Sequence, residues 1–236
     1  MLDKISCNRI EALARLKREL GSRLVTPERI TPAAGIATGW PLLDRFLLWH
    51  GFPKDAVSLL ISDAGGATSL WMRSAAAVTQ RGQWVAWMND RDSALTPWGL
   101  RHRKVDLSRL LWVSQPQDVK QTLWALQELL SLSLFELIGC DLGGMGLKEH
   151  QVLRLKKLAQ SSQAALVLIT HARILRPSPF YSLILHFERN HVAVIRALHR
   201  PTPHILERRD LYADTLPLLT AGECAFPLRK SASFRG

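Results

Sequence analysis

The sequence predicts an α/β fold, with a mostly parallel sheet flanked by helices, a C-terminal antiparallel hairpin and an N-terminal helical arm. Three observations predict it. From Thr38 onward, short apolar runs at Val57–Ser62, Trp84–Met88, Leu110–Ser114, Leu134–Asp141 and Ala164–His171 alternate with helix-length segments at 67–80, 117–131 and 148–161. Near-continuous apolar strands separated by helices are the pattern of a parallel sheet covered on both faces, since a strand with one wet face would alternate instead. The final third does alternate: Tyr181–Glu188 and Val192–Leu198 flank the turn Arg189-Asn190-His191, and a further short strand is expected at His204–Arg208. Residues 9–20 read as an amphipathic helix with Ile10, Leu13, Leu16 and Leu20 on one stripe. Pro27, Pro32 and Gly35 then break the pattern. That helix reads equally as an element packed on its own core and as a docking or oligomerisation arm. The expected organisation is an arm and linker at 1–35, a core at 36–210 and a tail at 211–236.

Composition bounds the class. The chain has 236 residues, 47% of them hydrophobic and 22% charged, with a net charge of +11. The length supports a sizeable core, and 14 Gly with 12 Pro exclude collagen-like or wholly disordered character. Three scattered cysteines, Cys7, Cys140 and Cys224, make no disulfide framework and favour a reducing, cytoplasmic setting. The charged N-terminal stretch lacks the apolar core of a signal peptide, and the longest apolar runs fall far short of the roughly 20 residues that span a bilayer. No membrane association is expected. The positive charge makes nucleic acid or an acidic protein a plausible partner without bearing on the fold.

The most informative stretch runs from Val57 to Leu70. It follows a strand and opens a helix, where a phosphate-binding loop belongs. That motif requires a first Gly, a second Gly, a Lys and a Ser/Thr. The four positions hold Ile61, Gly66, Ala67 and Thr68, with Gly65 beside Gly66. The lost lysine would reach the β- and γ-phosphates as a point charge, which Ala67 cannot replace. Ile61 is bulky where a tight turn wants no side chain, and Asp63 adds a negative charge where phosphate would sit. Each change opposes nucleotide binding. Together they predict no catalysis and no cofactor.

Around this loop stand Thr38-Gly-Trp-Pro-Leu-Leu-Asp44, Gly51-Phe-Pro53, Ala94-Leu-Thr-Pro97, Val105-Asp106, Gln115-Pro116 and the strand Phe135-Glu-Leu-Ile-Gly-Cys-Asp141. In order and spacing this series resembles the RecA-like family, specifically its ImuA and SulA-like branch, over about residues 36–210. The resemblance implies a RecA-like P-loop core. It puts Asp141 at the Walker B aspartate, as a vestigial acid that only caps its turn, and Asp92, with Asp90 competing, at the catalytic acid. It puts His171 at the γ-phosphate-sensing position. The intervals that hold the family's DNA-binding loops, Leu142–Gly146 and Arg173–Pro179, are short here.

The remaining constellations are weaker. His186, His191, His199 and His204 are spaced too widely for a zinc site, and no nucleophile motif is present, so no metal is expected. Cys140 reads as core. Of the eight tryptophans, Trp84, Trp87, Trp112 and Trp124 are expected in the core. Trp40, Trp49 and Trp98 either stack on bases or anchor a partner if exposed, or fill the space of a missing nucleotide; burial is the favoured reading. Basic clusters lie at 101–104, at 173–209, with seven arginines against two glutamates, and at 229–236.

The expected function, implied by the resemblance, is a non-catalytic accessory protein of SOS-induced translesion DNA synthesis and mutagenesis. Its partners would be an inactive Y-family polymerase-like protein, an error-prone polymerase and RecA, with weak DNA binding. Docking would use Leu13, Leu16 and Leu20 of the arm and Phe226, Arg229, Lys230, Phe234 and Arg235 of the tail. The alternatives are a SulA-like cell-division inhibitor and a DNA-binding recombinase paralogue.

Overall fold

A computed structural model describes residues 35–63, 65–89, 95–114, 118–171, 177–197 and 203–213. The chain divides into two compact units, Met1–Ala33 and Ala34–Gly236; the first lies outside the described residues. In the second the order of elements is α1 (Pro41–Phe46), β1 (Ala56–Ser62), α2 (Ala67–Gln80), β2 (Trp84–Asn89), α3 (Pro97–His102), a 3-10 turn (Leu107–Arg109) and β3 (Leu110–Ser114). There follow α4 (Val119–Ser131), β4 (Phe135–Asp141), α5 (Glu149–Ser162), β5 (Ala165–Thr170), β6 (Leu183–Phe187), β7 (His191–Ala197), β8 (His204–Glu207) and α6 (Arg208–Ala213).

The eight strands form one sheet in the order β3-β2-β4-β5-β1-β6-β7-β8. The first six in that row run parallel, and β7 and β8 close it as an antiparallel meander. All residues of β1 and β5 are buried, so their largely apolar character, broken in β1 by Ser58, follows from having helices or loops on both faces. The alternation in β7 follows from one face meeting solvent.

Two cores result, one on each face. On the first, Leu70, Trp71, Ala75 and Val78 of α2 pack with Trp40, Leu43 and Leu47 against Leu60, Trp87, Leu137 and Phe187. On the second, Leu123, Leu126 and Leu130 of α4 and Val152 and Leu155 of α5 cover Leu59, Met88, Ile138, Cys140 and Leu168. Helix starts have local causes: Asp118 Oδ1 accepts from Gln121 N at 2.8 Å, Thr96 Oγ1 accepts from Gly99 N at 3.3 Å ahead of Pro97, and Gln151 Oε1 accepts from Lys148 N at 2.8 Å.

Two tryptophan expectations are corrected. Trp124 is 64% exposed, because the buried face of α4 is Thr122, Leu123, Leu126, Leu129 and Leu130, and Trp124 stands off that stripe. Trp98 is 75% exposed, because α3 turns Leu100 inward. Trp40 and Trp87 are fully buried and Trp49, Trp84 and Trp112 half-buried. Cys140 is buried in the core. No helix among the described residues is long and apolar enough to cross a membrane.

Gly139 in β4 makes room for an indole pair. The Trp71 and Trp87 rings lie 4.4 Å apart at 45°, and a Cβ on Gly139 would stand 2.3 Å from Trp71 Nε1 and 2.6 Å from Trp87 Cε3. Neither ring is at a free end, so Gly139→Ala is expected to cost about 1–3 kcal/mol in urea unfolding. Tyr181 supplies a second prediction. Burial pushes its hydroxyl up to about 12, whereas the unfolded chain releases that proton near 10. Between those values the folded state holds more protons, so stability falls as pH rises through the window. The loss is expected to reach about 2–3 kcal/mol and to be missing from Tyr181→Phe in unfolding curves taken across that range.

Candidate functional site

The carboxyl ends of the parallel strands gather at one edge of the sheet. The chain leaves β1 for β2, three places away on one side, while β6 lies directly on the other side. The carboxyl ends of the strands beside such a change of direction are where open α/β sheets take their ligands. Ser62, Asp63 and Gly65 to Ala67 lie there.

Ile61 belongs to β1 rather than to the turn, opposite Thr170 and His186, with its side chain buried. The turn proper falls on Gly65 and Gly66, whose φ values of +72° and +104° suit glycine. A Cβ on Gly66 would stand 3.0 Å from Arg208 Nη2 and 3.2 Å from Phe187 Cδ1. Ala67, the first residue of α2, is fully buried, and Thr68 is half-buried.

The loop is held by the protein itself. Asp63 N donates to Phe187 O at 3.2 Å, and Arg208 Nη2, from α6, donates to Gly65 O. The Asp63 carboxylate lies 2.8 Å from His186 Nε2. His186 Nδ1 is in turn 3.4 Å from Glu188 Oε1, and Glu188 Oε2 is 3.4 Å from His191 Nε2. A chain of alternating imidazoles and carboxylates therefore runs from the loop to the β6–β7 turn. Under it, Phe187 packs on buried Trp40, ring centroids 6.0 Å apart.

Asp141 ends β4, buried, and Oδ1 accepts from Gly143 N at 3.0 Å, closing the turn after the strand. His171, just beyond β5, links this carboxylate to the loop. Its Nδ1 donates to Ser62 O at 3.1 Å, and its Nε2 lies 3.4 Å from Asp141 Oδ1. Gly143 O accepts from His171 N at 2.9 Å and from Thr170 Oγ1 at 3.2 Å. One imidazole at the end of β5 thus hydrogen-bonds the end of β1 and lies beside the carboxylate that ends β4.

Of the residues singled out in the sequence, the structure brings Gly65, Gly66, Ala67, Thr68 and Asp141 to this edge, joined through His171. Asp92, Leu13, Leu16, Leu20, Phe226, Arg229, Lys230, Phe234 and Arg235 lie outside the described residues. No group of three or more potential metal ligands occurs among the described residues. Phe187, His186 and Arg208 at the loop were not foreseen. Arg208 is 143 positions away in sequence, and no spacing rule relates it to Gly65.

No family model matches the chain, and no curated protein matches it. The geometry of Asp141 is testable directly. Asp141→Ala strands the Gly143 N–H in a buried turn and is expected to cost about 1–3 kcal/mol. Asp141→Asn keeps an acceptor oxygen, so its loss in urea unfolding is expected to be clearly smaller.

Proposed function

We propose that this chain is a non-catalytic, RecA-like accessory protein of SOS-induced translesion DNA synthesis and mutagenesis. It acts by docking to a Y-family polymerase-like protein, an error-prone polymerase and RecA. The observation that carries this reading is the content of the loop after β1. Ala67 stands where a phosphate-binding lysine belongs, Asp63 is paired with His186, and Phe187 and Arg208 crowd Gly66. A loop that spends its polar groups on its own protein has few left for a triphosphate. The central place of β1 and the link from the loop to Asp141 through His171 support descent from a nucleotide-binding core. The function then lies in surfaces rather than in chemistry at the strand ends.

Calorimetric titration of the full chain with Mg²⁺-ATP is expected to give no saturable binding in the micromolar range. Tight Mg²⁺-dependent binding, with turnover stimulated by single-stranded DNA, would overturn the reading. A pull-down from DNA-damaged cells is expected to retrieve a polymerase-like partner with the full chain and to lose it on deletion of residues 217–236. Filamentation on overexpression in undamaged cells, with no such partner retrieved, would favour a cell-division inhibitor instead.

A further inference from the structure

Residues 95–109 form a surface that the strand-end site does not use. Its base is fixed. Leu95, Leu100 and Val105 are buried, Asp106 N donates to Thr79 Oγ1 at 3.1 Å, and Gln80 Nε2 donates to Lys104 O at 3.4 Å. The end of α3 is closed by Val105 N donating to Leu100 O at 3.1 Å and Lys104 N to Arg101 O at 2.9 Å.

On this base the exposed side chains are unusual in kind. Trp98 is 75% exposed, and Arg101, His102, Arg103 and Lys104 follow as four successive exposed residues. Lys104 has φ +63°, a left-handed position after a helix that glycine takes without strain and that costs another residue roughly 1 kcal/mol. One acid lies nearby: the Asp106 carboxylate accepts from Ser108 N at 2.9 Å and from Ser108 Oγ at 2.7 Å, which hold its pKa below the usual range, so it is ionised and offsets one charge of the cluster. A single exposed apolar side chain is ordinary, and a helix C-terminus favours a cation or two. An open indole beside the three cations Arg101, Arg103 and Lys104, all on a fixed base, goes further.

Beside the indole lies a depression of about 90 Å³ lined by Pro97, Trp98, Arg101 and Leu107. We propose that this surface docks an acidic peptide segment of another protein. One aliphatic anchor of that segment fills the depression beside Trp98, and flanking carboxylates pair with Arg101, Arg103 and Lys104. The charge is complementary, and the lining selects the class. Pro97, Trp98 and Leu107 make the depression chiefly apolar, which suits one aliphatic side chain. Phosphates pairing with the cations alone would leave it unfilled.

The test is an NMR titration of the ¹⁵N-labelled full chain at physiological salt, read at the Trp98 indole N–H, which is identified by its loss in Trp98→Phe. Three probes are compared: a short Asp/Glu peptide with a central Leu, the same peptide with Gly at that position, and oligo-dT of equal length. The Leu peptide is expected to shift the indole signal and to bind at least about tenfold more tightly than the Gly peptide. Trp98→Ala, followed at the backbone amide signals that the Leu peptide shifts in the unaltered chain, is expected to abolish that difference with the unfolding midpoint unchanged, and Arg101→Glu with Arg103→Glu to weaken both peptides. Should Trp98→Ala perturb folding, Leu107→Ser serves as the variant that fills the depression's rim differently while leaving the indole in place, and it too must reduce the preference for Leu. Equal affinity for the two peptides, no binding of either, or Trp98-dependent binding of oligo-dT alone would each overturn the proposal.

Discussion

The structure depends on the hydrogen-bond ladders of β1. All seven of its residues are buried, and its neighbours, β5 and β6, come from more than a hundred positions later in the chain. Without β1 the sheet would fall into β3-β2-β4-β5 on one side and β6-β7-β8 on the other. Because β1 ends between those halves, the loop after it is bounded by elements from both. His171 reaches it from the end of β5, while Phe187 and Arg208 reach it from β6 and α6.

This placement explains how the loop after β1 is held. Its two glycines make the turn, and α2 begins at Ala67. The loop is held by protein partners: one backbone bond to Phe187, an arginine on the Gly65 carbonyl and an imidazole on Asp63. Exposed imidazole–carboxylate contacts are worth little singly, about 0–1 kcal/mol. The buried turn of Asp141 and the aromatic packing of Trp40 on Phe187 carry more of the weight.

Much of the fold was legible. The five apolar runs fall within a residue or so of β1 to β5, the 67–80 segment coincides with α2, and the hairpin turn at Arg189-Asn190 joins β6 to β7. Those signals are strong because a strand buried on both faces takes chiefly apolar residues, with small hydroxyls such as Ser58 the exceptions. The short helices α1, α3 and α6 were not foreseen, since six residues are too few to display a helical period. Trp124 was misjudged although its signal was present: it stands off the stripe Thr122, Leu123, Leu126, Leu129. Trp98 carried no such signal, because a one-and-a-half-turn helix has no periodicity to show which side is inward.

By itself, the sequence determined the alternation of strands and helices, the double-faced burial of the central strands and the glycine pair between β1 and α2. Each is a property of local composition or of a short motif. Only the tertiary structure decided that β1 lies between β5 and β6, that His171 joins Ser62 to Asp141, that Arg208 closes on Gly65, and that Trp98 faces water beside four basic side chains. The physical reason is range. Strand order and contacts across more than a hundred residues arise from which buried faces pack together, and no spacing along the chain records that choice.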